Sequence, residues 1–398
     1  MDKGAACSLA LGLTAAALYG GWRLLRAPAL PDGESQPPIA DGVTGLIGNT
    51  RLVRINSLSA ATGCEILAKA EFLNPGGSSK DRIALHVVEQ AERSGGLAPG
   101  ACLFEGTSGS TGISLAMVAR ARGYACHIVM PSDVAVEKSQ LLERLGATVE
   151  RVPPRPIVDP GHYVNVARAR ALAHSQGFFV DQFETPLNFD AHWRSTAPEI
   201  WRQTGGRLHA FVHGAGTGGT LAAVTCFLKR QNPEVRCFLA DPQGSGLANR
   251  VNHGVLFADT EREGTRRRHQ VDSLVEGVGL NRLTRNFARL LQGGGPRGAS
   301  SLLDGAVSVS DADALSMSRW LVANDGLFVG CSAAVNCVAA LSIARHLGPG
   351  HTIVTVLADS GHRHLTKFWS DEAMAALGYS VKVPDSLDHF AQLSLTGE

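Results

Sequence analysis

The residue in this sequence most suited to do chemistry is Lys80. It follows the run Pro75-Gly76-Gly77, and apolar side chains recur at helical spacing over residues 83–91. Proline fixes φ, and glycine leaves room where the backbone turns. Lys80 is therefore predicted at the N-terminus of a helix, where the helix dipole favours a neutral, nucleophilic amine over an ammonium. An ordinary surface lysine in a polar loop is the alternative.

A hydroxyl-rich turn at residues 107–111 lies between a short apolar run, residues 101–104, and an alanine-rich helical segment that begins at Ile113. The order of strand, turn and helix creates a nest of backbone N–H groups that suits an anion, and a carboxylate would fit it well. A flexible Gly/Ser loop is the alternative. The close bracketing by strand and helix favours the anion site.

A second glycine-rich turn, Gly216-Thr-Gly-Gly-Thr220, follows an apolar run and precedes another helical segment. It resembles a dinucleotide fingerprint only loosely, lacking the clean G-x-G-x-x-G with an acidic residue about 20 positions on that contacts ribose, and no Gly-Lys-Ser/Thr of a P-loop follows. Two threonine hydroxyls and three glycine amides instead suit one phosphate monoester at a helix N-terminus. A reactive lysine, a phosphate site and a carboxylate site together indicate pyridoxal phosphate, whose aldehyde reacts with lysine and whose phosphate anchors it.

The elements that must position these residues alternate between short apolar strands and helices. Strands are predicted at residues 125–130, 148–152, 236–240 and 352–357, and helices at 136–145 and 163–175. Ser310 is predicted to cap a further helix. This alternation indicates an α/β fold with largely parallel sheets.

The sequence resembles the fold type II pyridoxal-phosphate enzymes, the cysteine synthase and cystathionine β-synthase family, over residues 45–379. Within that family it is most similar to the fungal cysteine synthase 2 branch, through residues 264–272, 276–282 and 359–369. The resemblance implies two lobes, each an open, twisted, mostly parallel sheet flanked by helices. It implies that a smaller lobe, about residues 84–187, is inserted into a larger lobe made from the flanking segments of the chain. It also implies a homodimer.

The same resemblance implies roles for individual residues. Lys80 would hold pyridoxal 5'-phosphate as a Schiff base and move the α-proton of the substrate. The other cofactor contacts would come from Gly216, Thr217, Gly218, Gly219 and Thr220 at the phosphate, Ser332 at the pyridine nitrogen and Ser110 at the 3′-oxygen. The amino-acid substrate would be bound by Thr107, Ser108, Gly109, Thr111, Gln182 and Gly277.

The implied reaction converts O-acetyl-L-serine and sulfide to L-cysteine and acetate by β-replacement. A serine at the ring nitrogen cannot keep it protonated as an aspartate would, which favours loss of a β-substituent over transamination. Ser110, however, stands where cysteine synthases usually carry asparagine. Two alternatives follow: an L-serine or L-cysteine β-lyase (dehydratase or desulfhydrase), or a weakly active, membrane-tethered cofactor-binding relative with a partner or sulfide-sensing role.

Composition indicates a soluble catalytic body. The chain has 398 residues and a formal net charge of +1, so it offers no basic stripe for nucleic acid. The basic cluster at residues 266–269 is interpreted as a solvated connection. The eight cysteines form no C-x-x-C pair and the fourteen histidines show no metal-ligand spacing, so reduced thiols and no metal are predicted.

The N-terminus differs in character from the rest. Residues 4–22 are uncharged and rich in Ala, Leu and Gly, and Arg23, Arg26 and a proline-rich linker follow. A helix of this length just crosses a bilayer core. Basic residues that lie mainly after the apolar run, and a body without a disulfide pattern, argue against a cleaved secretory signal, and a matrix transit peptide would be amphipathic and Arg/Ser-rich throughout, which this segment is not. A retained anchor and linker are predicted at residues 1–40 and a catalytic domain at 41–398. The family branch implies the mitochondrial outer membrane, with the catalytic domain facing the cytosol.

Overall fold

The computed structural model of the protein describes residues 39–258, 273–291 and 301–390. The predicted anchor at residues 4–22 and the basic cluster at 266–269 lie outside these ranges. No helix within them is both long and apolar enough to cross a membrane. The seven cysteines they contain are all free thiols.

The described ranges contain ten strands in two sheets. The strands are β1 (Leu52–Arg54), β2 (Glu65–Ala70), β3 (Cys102–Gly106), β4 (Ala125–Pro131), β5 (Thr148–Val152), β6 (Gly177–Phe179), β7 (Ala210–Gly214), β8 (Arg236–Pro242), β9 (Gly305–Val309) and β10 (Thr352–Leu357). Six of them form a sheet in the order β1-β2-β10-β7-β8-β9, and the other four form a sheet in the order β5-β4-β3-β6. Only the β1–β2 pair is antiparallel among these described strands.

Helices cover both sheets. The α-helices of the described ranges are α1 (Asn56–Thr62), α2 (Lys80–Arg93), α3 (Ser110–Arg122), α4 (Val136–Arg144), α5 (Tyr163–Ala173), α6 (Pro186–Arg194), α7 (Thr196–Gln203), α8 (Gly219–Gln231), α9 (Leu247–His253), α10 (Arg285–Ala288), α11 (Asp311–Asp325), α12 (Cys331–Leu347) and α13 (Asp371–Ala376). Short 3-10 helices occur at Val43–Leu46, Glu71–Leu73, Gly361–Arg363 and Leu387–Phe390. The prediction of an α/β fold with mostly parallel sheets flanked by helices is confirmed.

The central strands are buried on both faces, as parallel strands between helices must be. β7 is buried over its whole length, and so is the first part of α12, residues 331–344, which packs beside β7 and β10. The predicted cap is also confirmed, because the Ser310 hydroxyl accepts a hydrogen bond from the Asp313 N–H at 3.0 Å. These elements give a rigid base under the loops that leave the carboxyl ends of the strands.

The predicted functional turns lie in those loops. The turn at residues 107–111 follows β3 of the four-stranded sheet, while the turn at 216–220 follows β7 and Asp359 follows β10 in the six-stranded sheet. Ligands of open α/β sheets bind outside the carboxyl ends of the strands. The topology thus places the predicted binding turns where this class of fold holds its ligands.

Candidate active site

Lys80 is the first residue of α2, and Ser79 stands at the N-cap position. The Ser79 N–H donates to the Ala358 carbonyl at 2.9 Å. This hydrogen bond connects residues 75–80, which we call the lysine turn, to the residue that follows β10. The Lys80 side chain is half-buried, and among the residues that the structure describes its Nζ makes one hydrogen bond, a long one of 3.4 Å to Ser79 Oγ. Burial lowers the pKa of Lys80, although Asp359 acts in the opposite direction. The result is an amine with little to hold it as an ammonium.

The turn at residues 107–111 joins β3 to α3. Gly109 is the N-cap residue of α3 with φ of +136°, a backbone conformation that glycine adopts readily. Thr107 and Thr111 are buried, and the Thr111 hydroxyl donates to Gln182 Oε1 at 2.5 Å. Ser108 is half-buried in the same turn. The predicted carboxylate residues therefore lie together, although Gln182 is distant in the sequence.

Gln182 is held by the strand that precedes this turn. Its N–H donates to the Glu105 carboxyl and its Nε2 donates to the Gly106 carbonyl, each at 3.2 Å. Burial raises the pKa of Glu105 to about 8, so this carboxyl is neutral at pH 7. Sequence reasoning missed Glu105, because an acidic residue in an apolar strand gives no sign of which side chain it will meet.

The turn at residues 216–220 leaves β7 and becomes α8, with Gly218 in the left-handed region at φ of +81°. A methyl group on Gly216 would lie 2.1 Å from the Gly277 carbonyl oxygen, and one on Gly219 would lie 2.0 Å from Asn188 Oδ1. The first backbone N–H groups of α8 have no intrahelical acceptor. Gly277 lies against the turn, as the first of these contacts shows.

Two buried side chains hold the threonines of this turn. Asn188 donates its Nδ2 to Thr217 Oγ1 at 2.8 Å, and His192 Nε2 lies 3.0 Å from Thr220 Oγ1. Asn188 also donates to the Gln182 carbonyl at 2.9 Å, while its own Oδ1 is buried with no partner in the described structure. One amide therefore links the residues predicted to hold carboxylate and phosphate. Sequence reasoning missed Asn188, since no motif marks it.

Ser332 lies buried in the first turn of α12, whose N-cap residue is Gly330. The Gly330 N–H donates to the Asp359 carbonyl at 3.1 Å, and a methyl group on Gly330 would lie 2.0 Å from Asp359 Oδ1. Asp359 also pairs with Ser78 in an isolated β-bridge. The segment after β10 thus joins the Ser332 helix to the lysine turn.

Ser110 is the first residue of α3 and is half-buried. Its carbonyl accepts from Ser114 Oγ at 3.1 Å, and Ser114 Oγ also donates to the Asp81 carboxyl at 2.5 Å. Asp81 follows Lys80 directly. Hydrogen bonds therefore connect the lysine turn to the hydroxyl-rich turn, and none of the predicted residues lies apart from the others.

A buried ion network supports the start of α2. Arg82 Nε lies 2.7 Å from a Glu71 carboxyl oxygen, and Arg82 Nη1 lies 2.7 Å from a Glu199 carboxyl oxygen. Lys69 is fully buried and lies 2.7 Å from Glu199. Buried charges are tolerated only when they are paired in this way. The network fixes Lys80 because Arg82 belongs to the same helical turn.

This arrangement fits pyridoxal phosphate. Glycines stand where a side chain would collide, and the first N–H groups of α8 have no intrahelical acceptor. The Asn188 amide oxygen, buried with no partner in the described structure, lies against Gly219, and the Lys80 amine is half-buried. An anionic ester suits such a turn, and an aldehyde suits such an amine. Gly216, Thr217, Gly218, Gly219, Thr220 and Lys80 are the residues that could hold the cofactor.

Comparison with known proteins agrees with this chemistry. A family model described as pyridoxal-phosphate dependent enzyme matches residues 43–359. Cysteine synthase 2 of Schizosaccharomyces pombe is 55% identical over 359 residues, which are 88% of this chain and 89% of that protein. A protein of Saccharomyces cerevisiae named putative mitochondrial cysteine synthase is 50% identical over 84% of this chain and 85% of its own length.

A solved structure has the same fold. The crystal structure of a hydrogen sulfide-producing enzyme from Fusobacterium nucleatum superposes with a TM-score of 0.69 at 30% sequence identity, covering 82% of this chain and all of that one. The family match spans most of the chain, and the relatives align along nearly their whole length. The chain therefore belongs to the fold type II family of pyridoxal-phosphate dependent enzymes.

Proposed function

We propose that the protein is a cysteine synthase, which converts O-acetyl-L-serine and hydrosulfide to L-cysteine and acetate. The observation that carries this proposal is that hydrogen bonds bring a half-buried Lys80 together with the two turns predicted to bind anions, which Asn188 links to each other. The names of the Schizosaccharomyces and Saccharomyces relatives support the choice of substrates. Each reaction releases one acetate for every hydrosulfide consumed.

When bound, pyridoxal phosphate supplies an aldehyde that captures the substrate amine and a ring that withdraws electrons from the α-carbon. Lys80 then acts as the base that takes the α-proton, a role suited to an amine whose pKa is lowered by burial. Thr107, Ser108, Gly109, Thr111 and Gln182 would orient the α-carboxylate, with Gly277 at the edge of the substrate site. Fixing the carboxylate aligns the α-proton with the Lys80 amine.

The remaining assignments concern the cofactor. The turn at 216–220 would hold the phosphate, and Ser332 would contact the ring nitrogen from the first turn of α12. A neutral hydroxyl would not keep the ring nitrogen protonated as an aspartate would, so the ring would withdraw fewer electrons, which favours departure of a β-substituent. Ser110 would face the 3′-oxygen with a shorter group than the asparagine usual in cysteine synthases.

A β-lyase acting on L-cysteine is the second candidate. It would convert cysteine and water to pyruvate, ammonia and sulfide. Two observations favour it: Ser110 departs from the family pattern, and a structural neighbour is titled a hydrogen sulfide-producing enzyme. A β-lyase acting on L-serine, or a weakly active cofactor-binding relative with a partner or sulfide-sensing role, are further interpretations of Ser110.

One experiment separates these candidates. The purified holoenzyme is mixed with O-acetylserine, L-serine or L-cysteine while the visible absorbance of the cofactor is followed, and cysteine, pyruvate and sulfide are measured. A cysteine synthase responds to O-acetylserine and forms cysteine only when sulfide is added. Pyruvate from serine or cysteine, without a response to O-acetylserine, refutes the proposal. If Ser110 sets specificity, Ser110→Asn raises O-acetylserine turnover; unchanged kinetics contradict that role.

We further propose a homodimer whose catalytic domain, residues 41–398, has a smaller lobe at about 84–187 and is tethered by residues 4–22 to the mitochondrial outer membrane, facing the cytosol. The apolar run and its basic flank support the tether, and the name of the Saccharomyces relative supports a mitochondrial location. A truncation lacking residues 1–30 should leave the membrane fraction, and light scattering should give twice the chain mass. A truncated protein that still sediments with membranes contradicts the tether.

A further inference from the structure

A charged cluster lies beside the candidate active site, and no assigned role accounts for it. Its residues are Lys138, Glu276, Asp359, His364 and Lys367, and we refer to them as the Glu276 cluster. Glu276 pairs with Lys138 Nζ and lies 3.2 Å from Lys367 Nζ, while His364 Nε2 lies 3.1 Å from Asp359. Burial opposes the ionisation of Glu276, but Lys138 and His364 hold its pKa at about 2. The Lys138–Glu276 pair is therefore a true ion pair.

Lys138 itself is buried, with only 3% of its surface exposed. Its hydrocarbon stem lies directly under the hydroxyl-rich turn, because a methyl group on Gly109 would lie 2.6 Å from Lys138 Cδ and 3.2 Å from its Cγ. A glycine is needed at 109 for this close approach as well as for its φ. The stem of Lys138 thus forms the floor of the turn that is proposed to bind the substrate carboxylate.

The other end of Lys138 reaches the opposite wall of the site. Glu276 precedes Gly277, whose carbonyl lies against Gly216 of the phosphate turn. The Glu276 N–H also lies 3.2 Å from Cys331 Sγ, next to Ser332. One side chain therefore extends from the carboxylate turn of the four-stranded sheet to a segment that borders the phosphate turn and the Ser332 helix.

The residue beside Lys138 makes a parallel connection. The Glu137 carboxyl accepts from the Thr366 N–H at 3.1 Å and from the Thr366 hydroxyl at 2.6 Å. Two successive residues at the start of α4 thus bind two different segments, one at Glu276 and one at Thr366, after β10. Because Glu137 is half-buried and Thr366 is exposed, whereas Lys138 is buried, breaking the Lys138–Glu276 pair should cost more than breaking the Glu137–Thr366 contacts.

We propose that Lys138 is a positioning residue for the amino-acid substrate: its ion pair with Glu276 fixes the stem under Gly109 and so holds the 107–111 turn in the shape that binds the carboxylate. This inference rests on the proposed function for the site of carboxylate binding. Lys138 takes no part in proton transfer. Lys138 affects how tightly the substrate carboxylate is bound.

The test is Lys138→Met, which keeps an unbranched stem but removes the charge. Lys367 still compensates Glu276, so the variant should fold and retain its cofactor. Because the carboxylate contacts hold the substrate alike in the bound state and in the transition state, loosening them should raise KM for O-acetylserine about tenfold while kcat changes less than about threefold. Glu276→Gln breaks the same ion pair from its other end and should act in the same direction, so it tests the positioning role if Lys138→Met does not fold.

Two controls separate positioning from general stability and from the proposed function. Lys229→Met removes a half-buried lysine that lies in the last turn of α8, 2.8 Å from Asp304, and should leave KM unchanged. Binding of L-alanine, which has a carboxylate but no leaving group, is titrated through the cofactor absorbance. Its Kd should rise about tenfold in Lys138→Met. If the wild-type enzyme binds alanine but does not turn over O-acetylserine, the proposed function alone is refuted. If the alanine Kd is unchanged in both Lys138→Met and Glu276→Gln, the positioning role is overturned.

Discussion

Replacing Gly216 by alanine should weaken cofactor binding without unfolding the protein. The new methyl group would lie 2.1 Å from the Gly277 carbonyl oxygen, whereas side-chain carbons do not approach other atoms closer than 3.0 Å. The obstacle is backbone, so no side chain can rotate away. The turn or the Gly277 segment must move by about 1 Å, since overpacking is relieved by backbone shifts.

The surroundings decide how that movement is absorbed. The turn is held on one side by the Gly279 N–H, which donates to the Ala215 carbonyl at 2.9 Å, and on the other by the Thr284 hydroxyl, which donates to the Thr217 carbonyl at 2.7 Å. Overpacking at such a place costs about 1–3 kcal/mol. If the cost falls on the bound state, it corresponds to a rise of about 5- to 150-fold in the cofactor Kd.

The assay is equilibrium binding of pyridoxal phosphate to the apoprotein, with urea unfolding of the same apoprotein alongside. Gly96→Ala is the matched control, because its methyl group would meet nothing closer than 3.5 Å and its φ lies outside the left-handed region. The control should keep the wild-type Kd. If Gly216→Ala lowers the stability of the apoprotein but leaves the Kd unchanged, the assignment of this turn to the phosphate is wrong.

Three further predictions concern buried ionisable groups. Lys80→Ala should abolish borohydride-dependent attachment of the cofactor to the protein, seen by mass spectrometry, and reduce turnover by about 10²–10⁴-fold. Arg82→Ala should cost about 3–5 kcal/mol in urea unfolding because it removes the arginine that pairs with buried Glu71 and leaves Glu199 with Lys69 alone. Burial opposes ionisation of both carboxyls, but Arg82 lowers their pKa values. The stabilisation that the ionised carboxyls gain from Arg82 is therefore present above about pH 4.5 and is lost as the pH falls further. The free energy of unfolding of the variant should depend less on pH in this acidic range. Burial raises the pKa of Glu105 to about 8, so between about pH 4.5 and pH 8 this carboxyl ionises in the unfolded state but not in the folded one. The free energy of unfolding of the wild type should therefore fall as the pH rises through this range, and Glu105→Gln should remove the Glu105 contribution to that pH dependence. An unchanged pH dependence in the variant would contradict a neutral Glu105.

The sequence could predict the elements and turns because their signals are local. The period of apolar residues, the glycines at tight turns and the Ser310 cap each depend on a few neighbours in the chain. The strand and helix around residues 107–111, and those around 216–220, lie where these patterns indicate. The order of strands within the two sheets was beyond such patterns, since pairing joins residues as distant as Glu65 and Thr352.

The parts of the site that sequence reasoning missed share a physical cause. Asn188, Glu105 and Lys138 are polar residues that act from buried positions, whereas polar residues are expected at the surface by default. Each is stabilised there by a partner distant in sequence: Thr217 for Asn188, Gln182 for Glu105 and Glu276 for Lys138. No local pattern records such a pair.

The residues of the site therefore fall into two kinds, those that local sequence patterns mark and those that they do not. The residues proposed to contact cofactor and substrate lie in turns at the carboxyl ends of strands, where glycine and hydroxyl side chains mark them in the sequence. The residues that hold those turns in place are buried ions and amides that reach them from elsewhere in the chain. Substituting a contact residue should therefore change what binds, whereas substituting Asn188 or Lys138 should change how firmly the turns are aligned. For Lys138, a rise in KM with kcat unchanged would mean that the lost interaction stabilised the bound substrate and the transition state equally.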